Sequence, residues 1–289
     1  MLDIVWKVMG HIRSNRFLAT HEVKMGSDGE MDDVVTSADT FAQALYLDFF
    51  KERYPHISVL GEEDALHYIP EGGSISFRFT VDPLDGTKAF RRQQSYGVGT
   101  MVALIYQGEV IASFVGDVLS GEIFYHVPHI QGVFLSLDRR PPRPLAGIPF
   151  TAPDKLNVLL KQRPDEYDSP IMRALLARPA KHGLFKDIEI SSGSIGLKIA
   201  RLLKGEIAGL VMAKVWNTPW DTAPVVGLCR KAGFAFLRVN PMGTGFERFE
   251  VALTTEKYKI EHDQLIIHES HLGELETWVH AYNSRQASL

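Results

Sequence analysis

The chain has 289 residues, of which 45% are hydrophobic and 23% charged, and a formal charge of −4. That length can bury one large core or two intimate ones, and the composition excludes a disordered chain. The mild acidity argues against a broad nucleic-acid face, and a lone cysteine, Cys229, excludes an intrachain disulfide framework and fits a reducing, cytoplasmic setting.

Leu2, Val5, Val8, Met9 and Ile12 recur at helical spacing, and polar residues interrupt them too often for a signal peptide or a membrane span. Lys24 to Asp33 is rich in glycine and charge and reads as a loop. Thr36 or Ser37 can cap the next helix, with apolar Phe41, Ala44, Leu45 and Phe49. Asp39 falls in its first turn, where a carboxylate either complements the helix dipole or serves chemistry. A short strand from Ile57 to Leu60 runs into Gly61-Glu62-Glu63-Asp64, an acidic loop. Ile75 to Val81 alternates apolar and polar residues, which predicts a half-buried strand with Asp82 at its end. Asp82-Pro83-Leu84-Asp85-Gly86-Thr87 then places two carboxylates, a rigid proline and a flexible glycine in one expected turn.

Beyond it, Gly97–Tyr106, Val110–Val115 and Glu122–Val127 are separated by turn residues and predict an antiparallel meander. Arg139 to Arg143 is basic but proline-rich and reads as an exposed connector. The prolines from Pro141 to Pro153 suggest a seam between two parts, residues 1–145 and 146–289. Strands and helices alternate after it. Predicted strands are Leu156–Leu160, Ile188–Ile190, Ile207–Met212, Phe234–Val239, Phe249–Leu253 and Leu265–His268. Ile171–Leu176, a segment opened by Ser191-Ser192-Gly193-Ser194 and ended at Gly205, Trp220–Gly233 with Pro224 in its first turn, and Leu272–Tyr282 are predicted helices.

If Glu62, Asp82, Asp85 and Asp221 converge, four carboxylates repel unless protons or cations are bound, since unit charges 4 Å apart interact by ~4 kcal/mol at an effective dielectric of about 20. An oxygen-only donor set without paired His or Cys points to Mg²⁺, with Mn²⁺ as a substitute. Gly86 and Thr87 could offer backbone N–H groups to a phosphate, and the helix start at Ser192–Ser194 could add more.

Asp82-Pro83-Leu84-Asp85-Gly86-Thr87 resembles the first signature of the inositol monophosphatase family, and Trp220-Asp221-Thr222-Ala223 resembles its second. Gly61-Glu62-Glu63 and Asp33 to Asp39 resemble two further blocks in the same order, and Gly193-Ser194 falls at the family's small-residue substrate loop. The tail after about Thr255 lies outside the clear resemblance. The resemblance implies an α/β (α+β) layered αβαβα sandwich and a Mg²⁺-dependent, lithium-sensitive hydrolase of small phosphate esters. It implies that Glu62, Asp82 and the Leu84 carbonyl hold one ion, that Asp82, Asp85 and Asp221 hold a second, and that a weaker third ion sits near Glu62. Thr87, hydrogen-bonded to Asp39, would orient and deprotonate the attacking water, with Glu63 in support. The family's dimers make a homodimer compatible with the resemblance. Inositol-hydrolysing members carry a glutamate shortly before Trp-Asp, whereas this chain has Lys214 there. Lys88, Arg91 and Arg92 follow the first motif, where Asp85-Gly86-Thr87-Lys88 resembles the nucleotide-bisphosphatase and histidinol-phosphatase-like branches more than the inositol one. These cations either meet a second anionic group of the substrate or are solvated. A regulatory binding protein on the same scaffold is the competing reading.

Overall fold

The computed structural model describes residues 1–24, 33–145, 157–160, 167, 169–177, 184–212 and 214–288. The expected loop from Lys24 to Asp33 therefore lies largely outside the described residues, as does much of the proline-rich seam.

Seven helices and eighteen strands are formed among the described residues. The helices are α1 (Leu2–Ser14), α2 (Ser37–Arg53), α3 (Thr87–Arg91), α4 (Pro170–Leu175), α5 (Ile195–Leu203), α6 (Pro219–Lys231) and α7 (Leu272–Gln286). The first ten strands are β1 (His21–Lys24), β2 (Asp33–Thr36), β3 (Ile57–Gly61), β4 (His67–Tyr68), β5 (Ser74–Asp85), β6 (Gly99–Tyr106), β7 (Glu109–Asp117), β8 (Glu122–His126), β9 (Phe134–Leu137) and β10 (Arg143–Pro144). The rest are β11 (Asn157–Leu160), β12 (Asp187–Ile190), β13 (Gly209–Met212), β14 (Val215–Asn217), β15 (Phe234–Val239), β16 (Phe246–Arg248), β17 (Tyr258–Ile260) and β18 (Gln264–His268).

An eight-stranded sheet in the order β10-β9-β8-β7-β6-β5-β3-β4 contains the expected meander, and only its β3–β5 pair is parallel. A six-stranded mixed sheet runs β12-β11-β13-β18-β15-β16. Side chains alternate across a strand, so each sheet has two faces to cover. Val102 and Phe114 of the first sheet pack with Val5, Met9, Ala42 and Phe50 of α1 and α2, whereas their neighbours Met101 and Val115 join a second cluster with Ile199 of α5 and Val226 of α6. Phe236 and Ile266 close that cluster from the second sheet. The other face of that sheet, with Ala235, Leu237, Leu265 and Ile267, is covered by Ile171 of α4 and Leu275, Trp278 and Tyr282 of α7. The layers are thus helix, sheet, helix, sheet, helix. The segment after Thr255 is part of this plan, because β18 is an inner strand of the second sheet.

Three predicted segments differ from the observed ones in ways that bear on the site and its surroundings. Asp82 to Asp85 is the end of β5 rather than a separate turn, with a bulge: three steps on β5 oppose two on β6, from Asp82↔Met101 to Asp85↔Gly99. The predicted strand Phe249–Leu253 is displaced to Phe246–Arg248. The ladder stops as the Phe249 amide makes a last bond to the Phe236 carbonyl (3.1 Å), and Val251 turns inward to a buried position. Helix α6 also starts one residue earlier, at Pro219, so Pro224 lies beyond its first turn.

Candidate metal centre and adjoining cavity

The bulge in β5 explains how its two carboxylates meet. On a regular strand, residues three apart point to opposite faces; one extra residue brings both to one side. Pro83 lies in the bulge, where no ladder donor is needed. Asp82, Asp85 and Asp221 each present a carboxylate oxygen, and these atoms all lie within 4.8 Å of one another. Asp221 arrives from the first turn of α6, where the positive helix end favours a negative charge and Thr218 donates its hydroxyl to Oδ2.

Asp85 has a second task. Its Oδ2 accepts from the Gly196 amide (2.8 Å) and the Ser194 hydroxyl, and its Oδ1 from the Ile195 amide (3.1 Å), so it caps the start of α5. The approach is close because Gly86 (φ 95°) lies against the next segments: a Cβ there would stand 2.1 Å from the Gly97 carbonyl and 2.9 Å from the Ser194 nitrogen. Gly193 (φ 84°) meets the same carbonyl. Gly86, Gly193 and Ser194 are thereby gathered beside the acids, although they are far apart in sequence.

Asp39 sits behind this group. Its Oδ2 accepts from the Thr36 amide (2.9 Å) and hydroxyl in a capping box, and its Oδ1 accepts from the Thr87 hydroxyl at 3.0 Å. Both of the roles open for Asp39 are therefore occupied: helix cap and partner of Thr87. Thr87 Oγ1 is also 3.0 Å from the Leu84 carbonyl oxygen. Glu62 flanks the cluster and is bound by Lys24, whose Nζ lies 3.2 Å from Glu62 Oε1 and 2.8 Å from Glu63 Oε1. Lys24 escaped the sequence reading because it belongs to a separate hairpin strand, β1.

Electrostatics match the geometry. Burial, then Glu62, Asp85 and Asp221, push Asp82 well above the usual carboxylate range. Burial and Asp221 raise Asp85 to about 6, despite the capping donors. Burial raises Glu62 to about 8, against the opposing pull of Lys24 and with Glu63 and Asp221 adding to the rise. Asp82 Oδ1 is buried and has no hydrogen-bond partner among the described residues. A buried unpaired carboxylate oxygen facing further carboxylates fits a hard divalent cation. Asp82, Asp85 and Asp221 could hold such an ion directly, with Glu62 and the Leu84 carbonyl beside them.

A pH-dependent result follows. Raised carboxyl pKa values mean that the metal-free fold binds more protons than the unfolded chain, so stability falls as pH rises. For Asp85 the window runs from about 4 to about 6. For Glu62 it runs from 4.5 to about 8. We expect the melting temperature of EDTA-treated protein to drop between pH 5 and pH 8. Mg²⁺ should restore more at pH 8 than at pH 6, with about 2.7 kcal/mol available at a hundred times its Kd. Calorimetry at the two pH values checks this, and an equal Mg²⁺ increment at both would contradict it.

A cavity of about 210 Å³ opens beside the cluster, with Asp85, Gly193 and Asp221 at one end. Lys198 and Gln264, both buried, line it and were not singled out by the sequence. Lys198 Nζ donates to the Gly193 carbonyl at 3.2 Å. Lys214 is exposed and does not line the cavity, and Arg91, the last residue of α3, and Arg92, which follows it, are exposed.

The layered sandwich and its acidic centre are those of a phosphatase fold. The profile of the inositol monophosphatase family matches residues 2–276, and the chain belongs to that family. An inositol-1-monophosphatase of Bacillus subtilis is 24% identical over 216 residues, covering 72% of this chain and 74% of the relative. The Nus factor SuhB of Salmonella typhimurium is 26% identical over 234 residues, covering 78% of each. A solved IMPase/NADP phosphatase complexed with Mg²⁺ and phosphate superposes with a TM-score of 0.70 at 16% identity, over 96% of this chain and 91% of that one. Among the described residues no helix is long and apolar enough to cross a membrane.

Proposed function

We propose that the protein is a Mg²⁺-dependent hydrolase of small phosphate monoesters. The observation that carries this reading is the unpaired, buried Asp82 oxygen at the meeting point of Asp85 and Asp221, next to the Thr87–Asp39 pair. Bound by Asp82, Asp85, Asp221, Glu62 and the Leu84 carbonyl, two to three Mg²⁺ ions would neutralise phosphoryl charge and acidify water.

The protein groups have separate tasks. The amides of Gly86 and Thr87 and the loop at Gly193–Ser194 orient the phosphate. Thr87 Oγ1 accepts a proton from the attacking water while passing its own to Asp39 Oδ1. Burial holds the Asp39 carboxyl above its ordinary range, which suits a proton acceptor. The water oxygen bonds to phosphorus, the ester P–O bond breaks, and the leaving alkoxide takes up a proton as the alcohol. No phosphoenzyme forms.

Support for Mg²⁺ comes from the all-oxygen donor set and from the IMPase/NADP phosphatase complexed with Mg²⁺ and phosphate. Phosphate release from a panel of small esters, with Mg²⁺ and with EDTA, tests the reading. Turnover with Mg²⁺, its loss with EDTA and inhibition by Li⁺ are expected. A metal-replete protein that hydrolyses none of the esters would refute catalysis and favour a binding role, the reading that the SuhB relative keeps open.

A further inference from the structure

We infer that Tyr46 and Thr100 are positioning residues that fix the backbone of the bulge at Asp82–Asp85 and thereby set the preference of the centre for Mg²⁺ over the larger Ca²⁺. This rests on the metal-dependent reading above and names the groups that tune its ion site.

A bulge is a weak place from which to aim metal ligands. Its extra residue is unpaired with the neighbouring strand, and Pro83 has no N–H with which to restore the ladder. Between the pairs Asp82↔Met101 and Asp85↔Gly99, Thr100 alone stands opposite Pro83 and Leu84. Its side chain supplies a bond there: Thr100 Oγ1 donates to the Asp82 carbonyl at 3.2 Å. A hydroxyl has one proton to give, so the 3.0 Å hydrogen bond between Thr100 Oγ1 and the Tyr46 hydroxyl is donated by Tyr46. The chain runs one way, from Tyr46 through Thr100 to the peptide of Asp82. Tyr46 and Thr100 are both 0% exposed, so bulk water replaces neither bond. Burial pushes the Tyr46 phenol above its ordinary value, which keeps it a donor.

Helix α2 holds the bulge at two points. Asp39, two turns before Tyr46 on the same helix, binds Thr87, whose Oγ1 is 3.0 Å from the Leu84 carbonyl oxygen. The carbonyls of Asp82 and Leu84 thus each meet a threonine hydroxyl that an α2 side chain binds in turn. Thr87 and Asp39 have a task in proton transfer. Tyr46 and Thr100 do not line the cavity, and their connection to the site is the placement of Asp82. Placement matters most to a small ion. Mg²⁺ demands near-ideal octahedral geometry at about 2.0–2.1 Å, whereas Ca²⁺ accepts flexible sets of oxygens at about 2.3–2.6 Å. A bulge released from α2 should therefore lose Mg²⁺ and keep Ca²⁺.

Titration calorimetry of the EDTA-stripped full chain with MgCl₂ and with CaCl₂ measures both Kd values without any substrate. Thr100→Val, close in shape but without the hydroxyl, should weaken Mg²⁺ roughly tenfold or more and Ca²⁺ roughly threefold or less. Tyr46→Phe, which spares the bond from Thr100 to Asp82, should shift the Mg²⁺-to-Ca²⁺ ratio in the same direction by roughly threefold. Thr100→Ser keeps the hydroxyl and should keep the wild-type ratio, even where loss of the methyl lowers the melting temperature. A merely structural threonine would not separate ion preference from stability in this way. Thermal unfolding of the metal-free proteins reports which variants fold, and if Thr100→Val does not, Tyr46→Phe decides. An unchanged ratio in either folded variant, or a Thr100→Ser ratio as low as that of Thr100→Val, would overturn the inference, while phosphate release by the wild type leaves the hydrolase reading standing. No Mg²⁺ binding by the wild type removes both.

Discussion

Asp82→Asn is expected to abolish Mg²⁺-dependent turnover while raising the melting temperature of the metal-free protein. The two effects share one cause. Asp82 is 2% exposed, has an unpaired oxygen and faces Glu62, Asp85 and Asp221, so in the empty fold its charge is opposed on all sides. Replacing the carboxylate by a neutral amide removes that repulsion and should stabilise the empty protein by ~1–3 kcal/mol. The same change removes a ligand at the centre of the cluster. The loss of charge stabilisation there is worth several kcal/mol, or on the order of 10³-fold in kcat/KM. Phosphate release and calorimetry with and without Mg²⁺ measure both. A variant that loses activity and stability together without metal would show Asp82 to be a structural acid.

Thr87→Val and Asp39→Asn address the proton path. Each should lower kcat by ~10²–10⁴, the range of general acid–base groups, with KM little changed. Because Thr87 Oγ1 and Asp39 Oδ1 are joined by one 3.0 Å hydrogen bond, the double variant should be scarcely slower than either single one. Thr87→Ser, which keeps the hydroxyl, should recover most of the rate. Additive losses would mean that the two residues act separately. Asp39→Asn retains a side-chain oxygen for the Thr36 amide, so its stability loss should stay within about 1 kcal/mol.

The sequence was most readable where a local rule determined the outcome. Thr36 or Ser37 was legible as the cap of α2, and apolar runs separated by turn residues announced the meander. The resemblance brought Asp82, Asp85 and Asp221 together before any coordinates did. Local rules failed where tertiary contacts decided. Proline and glycine after Val81 suggested a turn, but pairing with β6 carries the strand through them by way of a bulge. Lys198 borders the apolar stripe of Ile195 and Ile199, and Gln264 begins an apolar run. Neither has a pattern that separates a cavity-lining group from a solvated one. Lys24 is joined to Glu62 and Glu63 only by the fold. Lys214 was singled out by its distance from Trp220-Asp221, and it is an exposed residue that is not among those lining the cavity.

The cap that Asp85 places on α5 also bears on the order in which the molecule is made. Chains emerge from the ribosome N-terminus first, and early segments fold as they appear. When residue 145 emerges, Glu62, Asp82 and Asp85 are present, but the amides of Ile195 and Gly196 and the carboxylate of Asp221 are still unsynthesised. The inner face of the first sheet, with Met101, Val115 and Phe124, is bare at that moment. A nascent chain should therefore neither retain Mg²⁺ nor resist proteolysis until α5 and α6 arrive together, so that ion capture coincides with closure of the middle helical layer.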